Sequence, residues 1–211
     1  MRVAIIGTGN VGSAIGQAVT AAGHDVIATA SSPEKFEDFK KRVDGAETTS
    51  SNVDAVRGAD AVVLAVPFGA VEEVVNEISG ELEGKLVIDP TNPLKPDLSG
   101  VATNGTSAAE VIQSKAPGAK VVKAFNTVFA SNQASPTVDG TQLDGFVAGD
   151  DPEAKSVVSD ILDKVGYRPI DVGPLSAARY LEGMAFLNIS LNAGNDWSWQ
   201  SGWKLVGPTD Q

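Results

Sequence analysis

Three glycines near the beginning of the chain have the spacing that phosphate binding requires. Gly7, Gly9 and Gly12 form a G-x-G-x-x-G pattern between an apolar run at residues 3–6 and a segment with helical apolar spacing. In a strand–turn–helix unit of this kind, the first glycine permits the tight turn and the second lets the main chain approach a pyrophosphate. The third lets the helix pack close to the strand, and the helix N-terminus then faces the phosphates. The pattern predicts a dinucleotide site; the alternative is a glycine-rich turn in another kind of α/β protein.

The end of the second predicted strand, at residues 25–29, indicates which dinucleotide the chain binds. NAD-binding folds commonly place an acid there, about 20 residues past the glycines, to hold the ribose 2′-OH. Here Ser31 and Ser32 follow the strand, and Lys35 lies beyond them. The two hydroxyls could hydrogen-bond a 2′-phosphate that Lys35 attracts, so the sequence favours NADP over NAD. The same stretch also matches a helix-capping box, Ser31-x-x-Glu34, and the two interpretations are compatible.

Side chains that could act as catalytic acids or bases are scarce. The chain has no cysteine and one histidine, which excludes disulfides, thiolate zinc sites, a cysteine nucleophile and a histidine-rich metal site. His24 lies at the start of a strand, at the edge opposite the expected cofactor, so we expect a surface turn residue. Tyr167 and Tyr180 lack a Tyr-x-x-x-Lys neighbour. We nominate no catalytic residue and no metal site. A chain of this kind suits a reaction that bound cofactors carry out themselves, or an NADP-binding redox sensor without chemistry.

Two further strand ends supply residues at the edge where a dinucleotide would lie. Val66 and Pro67 end a buried strand predicted at residues 59–66, and they either face the riboses or merely turn the chain. Asn126 and Thr127 follow another predicted strand and could anchor a nicotinamide carboxamide or a substrate carbonyl. The alternative for this pair is an Asx or ST turn that only shapes the loop.

Strand and helix patterns alternate from residue 2 to about residue 172. This alternation predicts an α/β fold, a doubly wound parallel sheet of the Rossmann type. We assign residues 1–172 to an NADP-binding Rossmann domain. We assign residues 173–211 to a C-terminal helical element and a tail that closes the substrate side. Residues 44–52 read as a polar, turn-like segment.

The tail contains all the tryptophans of the chain, Trp197, Trp199 and Trp203, within seven residues. Such a cluster seldom stays exposed. It either closes over a flat aromatic ligand or packs into the core or a subunit interface. The tryptophan-rich tail therefore suggests a homodimer.

Charge and hydropathy exclude several classes of partner. The net charge is −11, from 27 acidic and 16 basic residues, which makes nucleic acids and anionic membranes poor partners. No apolar run reaches the ~18 residues that a membrane helix needs. The first strand begins directly after Met1 and leaves no room for a signal peptide, so we expect a cytoplasmic protein.

Several stretches together resemble the coenzyme F420-dependent NADP reductases: RVAIIGTGNVG, AVPF, KAFNTV, GPLSAARYLEGMAFL and WQSGWKLVGP. The similarity covers nearly the whole chain, and the GPLxxAR…E element is its most specific part. The chain is also similar to the cytosolic oxidoreductase domain of STEAP-type metalloreductases, which use a flavin. The resemblance implies direct hydride transfer between NADPH and the deazaflavin F420; reduction of a flavin (FMN or FAD), or of ferric iron through it, is the alternative.

The resemblance also implies site residues. NADP contacts are expected at the positions matching residues 8–11 (Thr8, Gly9, Asn10, Val11), at the end of the second strand and at Lys35. Nicotinamide-side contacts are expected near Val66, Pro67, Ala70 and residues 126–130, which include Ala130. The chain departs from the family at the second-strand end, where the family often has Ser-Arg and this sequence has Ala30-Ser31. Loss of the arginine fork should weaken 2′-phosphate binding.

Overall fold

An eight-stranded sheet runs through the part of the chain that the structure, a computed structural model, describes: residues 1–30, 32–207 and 209. Its strands are β1 (Arg2–Ile6), β2 (Asp25–Thr29), β3 (Glu47–Thr49), β4 (Ala61–Leu64), β5 (Leu86–Asp89), β6 (Lys120–Lys123), β9 (Asp144–Gly149) and β10 (Arg168–Asp171). A separate hairpin consists of β7 (Thr137–Val138) and β8 (Thr141–Gln142). The helices are α1 (Asn10–Ala21), α2 (Pro33–Arg42), α3 (Asn52–Arg57), α4 (Phe68–Ile78), α5 (Ala108–Lys115), α6 (Pro152–Val165) and α7 (Ala178–Asn195).

The strand order is β10-β9-β6-β5-β4-β1-β2-β3. Strands β1 to β3 extend the sheet in one direction and β4 to β6 in the other, so the order reverses between β1 and β4. Such a reversal opens a crevice at the carboxyl ends of the strands, where doubly wound folds bind their ligands. The predicted α/β, doubly wound fold is confirmed.

We expected a sheet that is parallel throughout, but the observed sheet is mixed. Strand β9 pairs with β6 in the antiparallel direction, and β10 runs parallel to β9. A parallel connection would need a crossover back to the opposite edge, usually through a helix. Residues 124–143 contain only a 3-10 turn and the small hairpin, so this segment stays at the carboxyl edge. The mixed direction of the sheet thereby brings residues 124–143 beside the crevice.

Two other local predictions were wrong. The polar segment at residues 44–52 contains the edge strand β3, which pairs with β2 through Thr48 and Thr49, both β-branched residues that suit a strand. Helix α2 is capped by Ser32, whose Oγ accepts the main-chain N–H of Lys35 at 3.5 Å. Ser31, the predicted cap, lies outside the described residues.

The sheet is buried on both faces because successive strand residues enter opposite hydrophobic cores. In β1, Val3 and Ile5 belong to one core and Ala4 and Ile6 to the other, and all four are buried. This double burial explains why the strands read as continuous apolar runs rather than as alternating ones.

The C-terminal segment packs against the sheet through α7 and through an ion cluster. The buried carboxylate of Asp144 in β9 accepts two hydrogen bonds from Arg168, both at 2.8 Å, and one from the Leu205 N–H at 2.6 Å. Trp203 packs against the hydrophobic cluster around Phe146. The other two tryptophans, Trp197 and Trp199, are 48% and 44% exposed, so the tail is only partly packed.

Candidate nucleotide-binding site

A cavity of about 610 Å³ opens at the carboxyl ends of β1, β2 and β4, where the strand order reverses. Its wall collects residues that follow these three strands together with one face of α2. Seven of the residues predicted from the sequence line it: Gly7, Thr8, Gly9, Asn10, Lys35, Val66 and Pro67. The fold therefore brings together residues from three separate segments, as a dinucleotide site requires.

The three glycines of the loop have different structural roles. Gly7 has a φ of +101°, and a Cβ there would collide with the carbonyl oxygen of Ala65. A Cβ on Gly12 would collide with the carbonyl oxygen of Gly7, so close packing of α1 on the turn requires glycine. A Cβ on Gly9 would meet no atom of the described residues within 4 Å. Gly9 thus leaves space above the loop, into which a phosphate group could approach the main chain.

Helix α1 begins at this loop without a side-chain cap. Gly9 is its N-cap residue, and no acidic residue lies in the first turn. Among the residues that the structure describes, no side chain accepts a hydrogen bond from that turn. The N–H groups at the start of a helix lack partners within the helix, and they carry the positive end of its dipole. An uncapped N-terminus that faces a cavity fits a pyrophosphate.

The end of β2 contributes Thr29 and Ala30 to the cavity wall, and neither carries a charge. Lys35 lines the cavity from the first turn of α2, and Asp38 lines it one turn later. Asp38 pairs with Lys41 at 3.2 Å. The carboxylate that would hold a ribose 2′-OH is thus missing from the strand end.

A second cavity of about 180 Å³ contains three more of the predicted residues, Val11, Asn126 and Thr127. The side-chain amide of Asn92 donates to the main-chain carbonyl of Asn126 at 2.9 Å, and Asn126 Nδ2 donates to Asn92 Oδ1 at 3.0 Å. These two bonds join the loops after β5 and β6. Asn126 therefore shapes the loop, while its Oδ1 has no partner among the described residues.

Four predicted residues lie apart from these two groups. Ala130 lines a separate hollow of about 280 Å³, which it shares with Asn10. Gly12, Ser32 and Ala70 do not line either cavity within the described ranges: Gly12 packs against the glycine turn and Ser32 caps α2. Ala70 lies in the first turn of α4, next to Pro67.

Sequence reasoning missed a buried ion cluster at the ends of β5 and β6. Lys123 Nζ lies 2.9 Å from Asp89 Oδ2 and 2.8 Å from Glu182 Oε1, and the lysine and both acids are at most 1% exposed. Lys123 also donates to the main-chain carbonyl of Thr91. Glu182 Oε1 accepts the N–H of Ala108 at the start of α5. The cluster joins the ends of β5 and β6 to α5 and α7.

Two signals in the sequence could have revealed this cluster. Asp89 and Lys123 end two strands that pair in the sheet, where they are register partners of opposite charge. Glu182 has the helical spacing of the buried residues Ala178 and Ala185 in α7, so it had to face the core. Burial raises the pKa of Glu182, although the nearby Lys123 ammonium acts in the opposite direction.

The chain matches known proteins over nearly its full length. A family model described as "NADP oxidoreductase coenzyme F420-dependent" matches residues 2–93. The F420-dependent NADP reductase of Methanothermobacter thermautotrophicus is 31% identical over 92% of this chain and 90% of the relative. That of Methanocaldococcus jannaschii is 30% identical over 91% of this chain and 92% of the relative. The chain belongs to the F420-dependent NADP reductase family.

Solved structures agree with this assignment. A crystal structure from Arthrobacter sp. FB24, assigned as an F420-dependent NADP reductase, superposes with a TM-score of 0.86 at 28% identity, over 98% of this chain and all of that one. The resemblance to both families in the sequence is confirmed, since the metalloreductase STEAP3 of Rattus norvegicus is 28% identical over 86% of this chain. That match spans only 36% of the metalloreductase. None of the helices within the described ranges is both long and apolar enough to cross a bilayer.

Proposed function

We propose that this member of the family is an NADP-dependent oxidoreductase that transfers a hydride between NADPH and the deazaflavin F420. The observation that carries the proposal is the uncapped start of α1, which opens into the cavity at the reversal of the strand order. Relatives that align with this chain over at least nine tenths of both sequences carry the corresponding name. An NADP site at this position is what such an activity requires.

We propose that NADP lies along the carboxyl edge of the sheet. Its pyrophosphate rests against the glycine loop, and its adenosine 2′-phosphate lies near the start of α2. The nicotinamide lies towards the second cavity, where Asn126 Oδ1 could accept an N–H. The proposed contacts are Gly7, Thr8, Gly9, Asn10, Val11, Gly12, Ser31, Ser32, Lys35, Val66, Pro67, Ala70, Asn126, Thr127 and Ala130; Ser31 lies outside the described residues.

This reaction does not require a side chain that acts as a general acid or base. NADPH supplies the hydride when it is bound, and F420 accepts it at its own ring. The protein holds the two rings in contact and excludes water. The rings of Phe125 and Phe129 line the second cavity and supply the apolar walls for that task. The loops that carry them are held in place by the Asn92–Asn126 hydrogen bonds.

Gly9→Asp tests the location of the site. Because a side chain at Gly9 enters open space, the variant should fold, and its carboxylate should repel the pyrophosphate. We expect wild type, mixed anaerobically with NADPH and oxidised F420, to bleach the visible F420 absorbance, and the variant to be inactive. Gly80→Asp is the matched control, since a Cβ at that glycine also meets nothing within 4 Å and Gly80 lies outside the cavity wall. Equal activity of Gly9→Asp and wild type would refute this location.

The similarity to STEAP3 favours a second candidate, NADPH-dependent reduction of a flavin or of ferric iron through it. The same anaerobic assay with FMN or FAD separates the candidates, because wild type should reduce only one class of acceptor efficiently. Tight NADPH binding without turnover of either acceptor would instead indicate a redox sensor.

We also propose a homodimer that forms through the outer face of α7. Tyr180, Leu187 and Leu191 on this helix are 77%, 49% and 39% exposed, while its other face is buried. Clustered exposed apolar side chains of this kind indicate an interface. Leu187→Glu should halve the sedimenting mass, whereas Leu98→Glu, at an equally exposed leucine in a loop, should leave it unchanged. A wild-type mass of one chain would refute the dimer.

The division into residues 1–172 and 173–211, with the tail closing the substrate side, remains a proposal. A cytoplasmic location and the lack of a nucleic-acid partner likewise remain predictions from the sequence.

A further inference from the structure

A second cation reaches the nucleotide cavity from the far end of α2. Lys35 and Arg42 are seven residues apart, which is about two helical turns, so they share one face of the helix. Both line the 610 Å³ cavity. The main-chain carbonyl of Arg42 accepts a hydrogen bond from Gln17 Nε2 at 2.9 Å, which fixes this end of α2 against α1.

The Arg42 guanidinium is held next to the glycine loop by a neutral partner. Its Nη1 donates to Asn10 Oδ1 at 3.3 Å, and Asn10 is the first residue of α1. No carboxylate pairs with Arg42 in the ranges that the structure describes, and Asp38, the acid in the same wall, pairs with Lys41. A hydrogen bond of 3.3 Å to an amide is long. Bonds from a guanidinium to a phosphate are shorter and roughly twice as strong, so a phosphate would displace the amide oxygen.

The end of β2 cannot supply the charge that a 2′-phosphate needs. A phosphate monoester carries about −1.5 to −2 charges at neutral pH. Residues 29–32, Thr-Ala-Ser-Ser, contain no cation, and Lys35 offers a single point charge. A planar guanidinium with five N–H donors supplies the second charge and can bind the phosphate through two bonds.

We propose that Arg42, together with Lys35, binds the 2′-phosphate of NADP and determines the preference for NADP over NAD. The inference rests on the proposed function for the position of the dinucleotide, and it assigns the discrimination to a residue at the C-terminal end of α2. The neutral side chain of Asn10 holds the guanidinium in place before the nucleotide binds.

Binding measurements with Arg42→Gln test this role. The variant keeps an amide donor and removes the charge. We expect the Kd for NADPH, measured by calorimetry, to rise about 10- to 100-fold, as for the loss of a hydrogen bond to a charged group. The Kd for NADH should change by less than about two-fold, because NADH lacks the 2′-phosphate and therefore does not make this bond to Arg42. Arg42→Lys should give an intermediate loss. Competition by 2′,5′-ADP should weaken in parallel with NADPH, and competition by 5′-ADP should not.

Lys40→Gln is the matched control, because Lys40 is an exposed residue of the same helix that does not line the cavity, and the charge change is the same. Thermal melts of all variants establish that each is folded. Equal losses for NADPH and NADH in Arg42→Gln, or no loss for either, would overturn the inference and leave the proposed function standing. Failure of wild type to bind either nucleotide would overturn both. Suppose instead that Arg42→Gln weakens the binding of NADPH but not of NADH, while wild type does not turn over F420. That result would support the inference and count against the proposed function.

Discussion

Replacing Lys123 with methionine should strongly destabilise the protein. Lys123 is fully buried and is the cation that pairs with both Asp89 and Glu182, whose side chains are also buried. Methionine fills a similar volume but leaves two carboxylates without a counter-charge. Removing one partner of a buried ion pair typically costs about 3–5 kcal/mol, which is a large share of the 5–15 kcal/mol by which domains are stable.

Thermal and urea unfolding measure this loss. With an unfolding entropy of about 2.1 cal/mol/K per residue over 211 residues, the melting temperature should fall by roughly 7–11 °C. The midpoint in urea should fall while the m-value stays constant, because the change affects stability and not the extent of unfolding. A second measurement is NADPH affinity, which should decrease because Lys123 also holds the loop that begins at Asp89.

Lys120→Met is the matched control. Lys120 lies at the other end of the same strand and pairs with Asp151 at the surface, where such pairs contribute about 0–1 kcal/mol. The double variant Lys123→Met/Glu182→Gln should lose less free energy of unfolding than the two single variants lose together, because it removes one of the unpaired charges. If Lys123→Met lost no more stability than Lys120→Met, the buried cluster would not support the fold as argued.

Other substitutions test the remaining parts of the structure. The pKa of Glu182 is raised in the folded state, mainly by burial. The stability of wild type relative to Glu182→Gln should therefore fall as pH rises from the unfolded-state pKa of about 4.3 through the folded-state pKa. Urea titrations between pH 4 and 8 measure this difference. Burial alone would raise the pKa of Asp144, but hydrogen bonds from Arg168, Leu205 N–H and Lys204 outweigh it and lower that pKa. The stability that the Asp144 carboxylate contributes is therefore present above about pH 3.9 and is lost as pH falls through the folded-state pKa, so acid unfolding of Asp144→Asn should be less steep. Gly12→Ala should lower both the melting temperature and NADPH affinity because its Cβ meets the Gly7 carbonyl, whereas Gly9→Ala should leave the melting temperature unchanged; equal melting temperatures would contradict the packing argument.

The amino-acid sequence alone was sufficient for the elements whose causes are local. The glycine spacing predicted the turn before α1, and the apolar runs predicted β1, β2 and β4 to within two residues. Helix α5 likewise begins at a local pattern, the capping box Ser107-x-x-Glu110, in which the Glu110 N–H donates to Ser107 Oγ at 3.1 Å. Such features depend on residues within a few positions of each other, so pattern and propensity are enough to predict them.

Only the tertiary structure could reveal contacts between distant segments. Lys123 meets Asp89 and Glu182 across 34 and 59 residues, and Arg42 meets Asn10 across 32. The reversed direction of β9 likewise depends on how the whole chain returns to the sheet. Local periodicity indicates which face of a strand or helix is buried. The partner on that face is decided by the packing of all layers at once, because burying a charge is favourable only where the fold supplies its counter-charge.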